Sequence, residues 1–109
     1  MGGMRPLVHP DRDAITLQSV LHALSDPSRL AIVRALRQSP DLSCNKAMPC
    51  PDMAKSTLSN HFRILREAGI LRSRREGTQY ANCLRLDDLD FRFPGLLDAI
   101  LNASETPDS

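Results

Sequence analysis

Apolar residues recur at helical spacing near the start of the chain. Four of them occupy positions i, i+3, i+4 and i+7, namely Leu17, Val20, Leu21 and Leu24. This stripe predicts a first amphipathic helix over residues 12–24. Asp26 can then cap a new helix, and Pro27 suits a first helical position. A second helix is therefore predicted over residues 27–37, with an inner face formed by Leu30, Val33 and Leu36.

The helical period weakens after the second helix and then returns. Residues 41–48 could form a short helix, but Pro49 and Pro51 disfavour its continuation. The spacing i, i+4 and i+7 reappears at Leu58, Phe62 and Leu65. It predicts a third helix over residues 55–68, with these three side chains facing inward.

A β-hairpin is predicted after the third helix. Gly69 supplies the left-handed residue that commonly ends a helix. Two strands are predicted over residues 70–75 and 79–84, joined by Glu76-Gly77-Thr78, because Gly77 allows the positive φ of a tight turn. The polar residues 85–90 are interpreted as a connection.

The last predicted helix has a wide apolar face. It covers residues 94–102. The chain is 41% hydrophobic but only 4% aromatic, so its core will be thin, and small domains of this kind often complete their core by dimerising. The residues predicted to form a dimer interface are Leu17, Val20, Leu21, Leu96, Leu97, Ile100 and Leu101.

Charge is concentrated on the third helix and the hairpin. The net charge is only +1, yet residues 55–75 carry six lysines and arginines against the single acid Glu67. Short polar side chains at a helix start, followed by a basic hairpin, indicate a DNA recognition helix and a wing. Asn60 can pair bidentately with adenine, whereas Arg63 and Arg66 suit phosphates. The candidate DNA-binding residues are Lys55, Ser56, Thr57, Ser59, Asn60, His61, Arg63, Arg66, Arg74, Arg75 and Gln79.

These elements fit one domain in a chain of 109 residues. Residues 1–10 are predicted to be a flexible N-terminal arm, residues 11–103 the folded domain, and residues 104–109 a flexible tail. The predicted fold class is mainly α with a small β-hairpin wing. It is a winged helix-turn-helix of about five helices that forms a dimer.

Three segments of the chain resemble the ArsR/SmtB family of bacterial winged-helix repressors. They are LSDPSRLAIV at residues 24–33, STLSNHFRILREAGIL at residues 56–71 and REGTQ at residues 75–79. The resemblance covers roughly residues 14–101. It implies a homodimer built from the first and last helices, and repression through a short inverted repeat that a ligand or a thiol change relieves. The positions that the family uses to read bases would be Lys55, Ser56, Ser59 and Asn60.

The chain departs from this family in three places. The Ser that usually precedes the recognition helix is replaced by Ala54, so a capping hydroxyl is missing there. The Cys-x-Cys pair of the family's thiolate site is replaced by Ser43 and Asn45, which flank Cys44. The metal site of the family's last helix needs histidines, but here that helix offers only Asp98. His9, His22 and His61 are scattered along the sequence, so no metal site and no cofactor are predicted.

Cys44 and Cys50 form a candidate thiol switch directly before the recognition helix. A proline-bent segment could bring the two sulfurs within bonding range, and Lys46 could favour a thiolate. The alternatives are that both cysteines are small buried hydrophobic residues, or that they bind a soft metal. Cys83 is predicted to be a packing residue, although a three-thiolate site with Cys44 and Cys50 stays open.

The leading functional hypothesis is a homodimeric, sequence-specific repressor that binds double-stranded DNA. The alternatives are a constitutive or soft-metal-responsive repressor, or a winged-helix module that binds protein and does not read DNA. An enzyme is not expected, because the chain has no paired carboxylates, no nucleophile with a nearby base and no phosphate-binding glycine loop.

No membrane span or signal peptide is recognised, and the odd cysteine count argues against a secreted disulfide framework. A bacterial cytoplasmic, nucleoid-associated protein is therefore expected.

Overall fold

Five α-helices and one antiparallel hairpin make up the computed structural model, which describes Leu7 and residues 9–105. A short 3-10 helix, Arg12–Ala14, comes first. The elements that follow are α1 Leu17–Ala23, α2 Pro27–Gln38, α3 Lys55–Glu67, β1 Leu71–Glu76, β2 Gln79–Leu84, α4 Leu86–Arg92 and α5 Leu96–Glu105. This arrangement confirms the predicted winged helix-turn-helix. Among the described residues, no helix is both long and apolar enough to cross a membrane.

The first predicted helix is interrupted. Ile15 and Thr16 are extended between the 3-10 helix and α1, and the Thr16 hydroxyl caps α1 by accepting a hydrogen bond from the Ser19 amide at 3.2 Å. Ile15 is fully buried at this break. The chain bends here because the cap and the buried isoleucine stabilise an extended backbone where a continuous helix was predicted.

The segment LSDPSR connects α1 to α2 through two side chains. The Asp26 carboxylate accepts hydrogen bonds from the amides of Ser28 at 2.9 Å and Arg29 at 3.1 Å, which satisfies the first turn of α2. Arg29 reaches back and donates from Nε to the Ala23 carbonyl at 2.6 Å, at the end of α1. The predicted cap and helix start are therefore confirmed, and Arg29 additionally fixes α1 against α2.

Two other predicted segments are wrong. Residues 41–48 form turns and not a helix, because Leu42 is held by a β-bridge to Asn82 on β2. The predicted polar connection after β2 is the helix α4. Leu86, Leu89 and Phe93 recur there at i, i+3 and i+7, and Leu89 is buried against the core. The spacing of these apolar residues outweighs the polar composition of the segment.

The core lies between α2, α3 and the start of the hairpin, and α5 covers it. The inner face of α3 is buried as predicted, at Leu58, Phe62 and Leu65. Opposite it, α2 contributes Ile32, Val33 and Leu36, and the hairpin entry contributes Ile70 and Leu71. The recognition-helix candidate is therefore held along its whole length by apolar contacts.

The hairpin is closed by a two-residue turn. Glu76 pairs with Gln79, so the turn consists of Gly77 and Thr78, and Gly77 has a φ of +62°. The left-handed glycine was predicted, while the first strand begins and ends one residue later than expected. A bridge then adds Leu42 to the outer edge of β2, where the Asn82 amide donates to the Leu42 carbonyl at 3.1 Å.

The predicted dimer residues divide into two groups. Val20, Leu97 and Leu101 are buried inside a single chain, so the structure moves these three from the predicted interface into the core. Leu17 and Leu21 on α1 are 42% and 45% exposed. Leu96 and Ile100 on α5 are half-buried. An available apolar face therefore remains on α1, with part of α5 beside it.

The end of the predicted N-terminal arm packs against the hairpin. Residues 1–6 and 8 lie outside the described part of the chain. His9 accepts a hydrogen bond at Nε2 from the Ser73 amide at 3.1 Å, and the Pro10 carbonyl accepts one from Arg85 at 2.7 Å. At the other terminus α5 runs to Glu105, so it enters the segment predicted as a tail, whose residues 106–109 are not described.

The contact of His9 with the hairpin is expected to weaken in acid. Burial lowers the pKa of His9 from 6.5, and the charges of Arg66, Arg72 and Arg85 lower it further. A protonated ring cannot accept the Ser73 amide. When His9 is undocked, its ring binds a proton more readily than when it is docked. Docking is therefore fully favoured above about pH 6.5, and it is lost as the pH falls through the lowered pKa of the docked ring.

The measurement is the difference in free energy of unfolding between the parent and His9→Ala. We expect the parent to be more stable at about pH 7.5, with a smaller difference at about pH 5. A difference that is the same at both pH values would show that the neutral ring is not what holds the arm.

Candidate nucleic-acid interface

The start of α3 presents polar side chains to solvent. Lys55, Ser56, Thr57, Ser59 and Asn60 are all exposed. The helix begins after Ala54, which is extended and provides no side-chain cap, so the missing hydroxyl predicted from the sequence is not replaced by a neighbour. Since α3 is anchored by its apolar face, these five side chains stand on a fixed outer surface.

The end of α3 is closed by a Schellman motif. The Ile70 amide donates to the Leu65 carbonyl at 3.0 Å, and the Gly69 amide donates to the Arg66 carbonyl at 3.1 Å. Gly69 has a φ of +86°, as its predicted capping role requires. A Cβ at this position would lie 2.5 Å from Cγ1 of the buried Ile15. The turn from α3 into β1 therefore depends on glycine for its conformation and for space.

Asn60 is held by Arg63 on the same helix, and Arg63 is itself paired with Glu67. Arg63 donates from Nη2 to Oδ1 of Asn60, and from Nη1 to Oε1 of Glu67 at 3.3 Å. These residues lie at helical spacings of three and four, so they share the exposed face. A bidentate contact to adenine uses both polar atoms of Asn60, so Arg63 must release Oδ1 before Asn60 can read a base.

The hairpin carries the predicted basic residues at its tip, where Arg74 forms two ion pairs. Arg74 contacts Asp41 and Glu76, each at 2.9 Å. Arg75 is exposed, and its Nε donates to the Gly77 carbonyl at 3.1 Å. Gln79 is exposed at the start of β2. Two carboxylates therefore screen the positive charge of Arg74 at the tip.

Two predicted DNA-binding residues do not lie on the outer surface. His61 is only 9% exposed, and its Nδ1 is 3.3 Å from Nη1 of Arg29. An arginine can only donate, so Nδ1 is the acceptor and the ring faces the α1–α2 junction. Arg66 is half-buried and approaches Ser73 on β1, with Nε 3.5 Å from Oγ. Burial lowers the pKa of Arg66. His61 is therefore not placed to contact DNA, and Arg66 lies in the groove between α3 and the hairpin.

Asn82 was missed by the sequence analysis. It is fully buried on β2, where its Oδ1 accepts the Ser73 hydroxyl at 2.6 Å and its Nδ2 donates to the Leu42 carbonyl at 2.9 Å. Its Nδ2 also lies 3.6 Å from Sγ of Cys44. The available signal was an amide between the apolar residues Ala81 and Cys83 of the strand, since a buried polar group must find partners.

The three cysteines are free. Cys44 is half-buried, Cys50 is exposed, and burial raises the pKa of the Cys44 thiol, an effect that the amide of Asn82 and the charge of Arg66 only partly offset. The expectation that Lys46 favours a thiolate at Cys44 is not supported, because burial dominates. No group of three or more metal-binding side chains occurs within the described ranges.

Comparison with known proteins places this geometry in a family. A family model described as a helix-turn-helix domain matches residues 24–74. A homodimeric winged helix-turn-helix DNA-binding domain from Mycobacterium bovis, described as a possible ArsR-family regulator, has a TM-score of 0.61 at 26% identity. The match covers 94% of this chain and 91% of that one. A crystal structure of an ArsR family transcriptional regulator has a TM-score of 0.64 at 22% identity, covering 76% and 90% of the two chains.

A curated relative supports the same assignment. The uncharacterized HTH-type transcriptional regulator YceK of Bacillus subtilis is 41% identical over 83 residues, which is 74% of this chain and 82% of that protein. The chain belongs to the ArsR family. It is thus a DNA-binding helix-turn-helix transcriptional regulator and not an enzyme. In this ArsR-family chain, residues 41–48 before α3 form turns and a bridge, and not the short helix considered from the sequence.

Proposed function

We propose that this ArsR-family regulator is a repressor that binds an inverted-repeat operator as a homodimer. The observation that carries the proposal is the exposed polar surface at the start of α3 beside an exposed basic hairpin. α3 would enter the major groove, and the hairpin would contact the backbone or the minor groove. As a regulator of genomic DNA, the protein would act in the bacterial cytoplasm, at the nucleoid.

The exposed residues of α3 would divide between base edges and phosphates. Lys55, Ser56, Ser59 and Asn60 occupy the surface that would face the bases, and Thr57 is beside them. Arg63 is long and exposed, so it suits a phosphate, and its departure towards DNA would free Asn60. On the hairpin, Arg75 and Gln79 are exposed, and Arg74 must first leave two carboxylates to reach DNA.

Homodimerisation is supported by the apolar face that the single chain leaves exposed at Leu17 and Leu21. The related domain from Mycobacterium bovis is described as homodimeric. Two recognition helices related by a two-fold axis match half-sites about 34–36 Å apart, which accounts for the inverted repeat. Light scattering that shows a stable monomer at micromolar concentration would contradict this part of the proposal.

DNA binding is expected to respond differently to changes in the helix and in the hairpin. Asn60→Ala should weaken binding to the specific operator by about 1–3 kcal/mol, with little change on scrambled DNA, because it removes a base contact. Combined Arg74→Ala and Arg75→Ala should weaken binding to both DNAs and make the salt dependence shallower. Fluorescence anisotropy with the DNA upstream of the protein's own gene, at several salt concentrations, measures both effects.

Asn102→Ala is the matched control, since it removes the same amide from an exposed position on α5. If Asn60→Ala and the arginine double variant bind the operator as tightly as the parent, the assignment of α3 and the hairpin to DNA is wrong. Equal affinity of the parent for operator and scrambled DNA would favour a winged-helix module with another role.

The same titration tests the thiol switch, which stays a prediction. Its support is the position of Cys44, which contacts the Asn82 side chain beneath the hairpin and lies before α3. Release of the operator after mild oxidation in the parent, but not in Cys44→Ser, is the result that a switch requires. Retention of DNA by both oxidised proteins would identify Cys44 and Cys50 as structural residues.

A further inference from the structure

A groove separates the flank of α3 from the hairpin. Its volume is about 570 Å³, and its walls come from α3, the turn at Cys44, Tyr80 on β2 and Leu7 of the N-terminal arm. Pockets for small molecules typically measure about 300–1,000 Å³. The groove is therefore large enough for a small organic ligand, and segments from four parts of the chain enclose it.

The groove combines an apolar floor with a positively charged rim. Leu58 and Phe62 form the floor, and Lys55, Arg63 and Arg66 stand around it. Glu67 is the only acid among the lining residues, and it is engaged by Arg63 at 3.3 Å. The rim therefore favours an anion, while the floor favours a molecule that also has an apolar part.

Arg66 is the residue that most needs a partner in this groove. Its side chain is half-buried, and in the part of the chain that the structure describes it forms no ion pair. Among the described residues, Arg66 hydrogen-bonds through the 3.5 Å contact from Nε to Ser73, and Glu67 is a nearby charge that is engaged by Arg63. A cation withdrawn from water without a counter-charge is costly, and burial indeed lowers the pKa of Arg66. A carboxylate bound by the guanidinium fork would remove this cost.

We propose that the groove binds a small organic carboxylate with an apolar body, whose carboxylate contacts Arg66 and whose body lies on Leu58 and Phe62. The regulatory consequence rests on the proposed function. Lys55, Ser59 and Arg63 line the groove and also belong to the proposed DNA surface, so ligand and operator would compete. The site would then make the protein a regulator that is released from DNA by an organic acid.

Tyr80 provides a direct measurement without DNA. It is the only tyrosine in a chain without tryptophan, so the emission comes from this one residue, which lines the groove. We use octanoate below its micelle concentration as the probe and 1-octanol as the uncharged control. Octanoate is expected to change Tyr80 emission saturably, and 1-octanol should bind at least about tenfold more weakly.

Variants at Arg66 test whether its charge binds the carboxylate, and alkylation of the cysteines tests whether octanoate lies in the groove. Arg66→Gln should weaken octanoate about tenfold, Arg66→Lys should retain part of the affinity, and Arg37→Gln on α2 should match the parent. In the parent, octanoate should protect Cys44, which lines the groove, from alkylation, while exposed Cys50 stays reactive. The alkylation result stands even if an Arg66 variant fails to fold.

The outcomes separate this inference from the proposed function. Saturable octanoate binding with Cys44 protection supports the site, whether or not the protein binds the operator. Operator binding by a protein that shows neither Tyr80 response nor Cys44 protection overturns the site and leaves the repressor proposal intact. Octanoate binding that leaves Cys44 reactive, or that is unchanged in folded Arg66→Gln, places the ligand elsewhere and also overturns the inference. Release of a bound operator by octanoate, but not by 1-octanol, is the expected regulatory result.

Discussion

Gly69→Ala is expected to lower the free energy of unfolding by about 2–4 kcal/mol, as the sum of backbone strain and overpacking. Gly69 has a φ of +86°, which an alanine adopts only with strain. The added Cβ would also lie 2.5 Å from Cγ1 and 2.7 Å from Cδ1 of Ile15. Ile15 is fully buried and branched at Cβ, so it cannot turn away cheaply. Urea denaturation of the two proteins measures the loss.

Gly95→Ala is the matched control, because it adds the same methyl group without a steric clash. Gly95 also has a positive φ, at +77°, but a Cβ there meets nothing within 4 Å. This variant should lose only the strain, about 1 kcal/mol. Equal losses at Gly69 and Gly95 would show that the contact with Ile15 contributes nothing, and that the end of α3 is not packed as described.

Arg29→Met is expected to destabilise the protein by about 2–4 kcal/mol, because it leaves several buried acceptors without a donor. Arg29 is buried and donates to the carbonyl of Ala23 at 2.6 Å and to that of His22 at 3.4 Å. It also contacts Nδ1 of His61 on α3 at 3.3 Å. One guanidinium thus joins the end of α1, the start of α2 and the middle of α3.

The geometry of the guanidinium distinguishes this role from a simple positive charge. Arg29→Lys should recover little stability, since an ammonium cannot reach acceptors on both sides with a planar fork. Arg34→Met, in the same helix, removes one hydrogen bond to Ser104 at 3.1 Å and should cost less than about 1 kcal/mol. Full recovery by Arg29→Lys in urea denaturation would contradict the assigned hydrogen bonds.

Local signals explain the elements that could be predicted from the sequence. Asp26 and Pro27 mark the start of α2, Gly69 ends α3, and Gly77 forms the hairpin turn, each through a conformation that needs no distant partner. Residues 41–48 escaped prediction because their conformation depends on β2, which is remote in sequence. The apolar spacing of α4 is visible in the sequence, but three aspartates in this segment are also typical of a polar connection.

The candidate site was predictable in outline but not in detail. The exposed start of α3 followed from its period, and the same period could have shown that His61 is inward, since it lies three residues after Leu58 and four before Leu65. By contrast, the pairing of Arg74 with Asp41 and the groove around Arg66 join segments far apart in the chain. Contacts of this kind follow only from the folded structure.

The hydrogen bonds of Asn82 determine how the two proposed reading elements can move. Because one buried amide joins β1, β2 and the backbone at Leu42, the hairpin cannot tilt without displacing the segment that leads into α3. Helix and hairpin would therefore meet DNA as a single rigid body with a fixed separation. Each monomer would then contact its half-site with a footprint of fixed length. If the dimer accepts operators with different half-site spacings, the adjustment must occur at the junction between the two subunits.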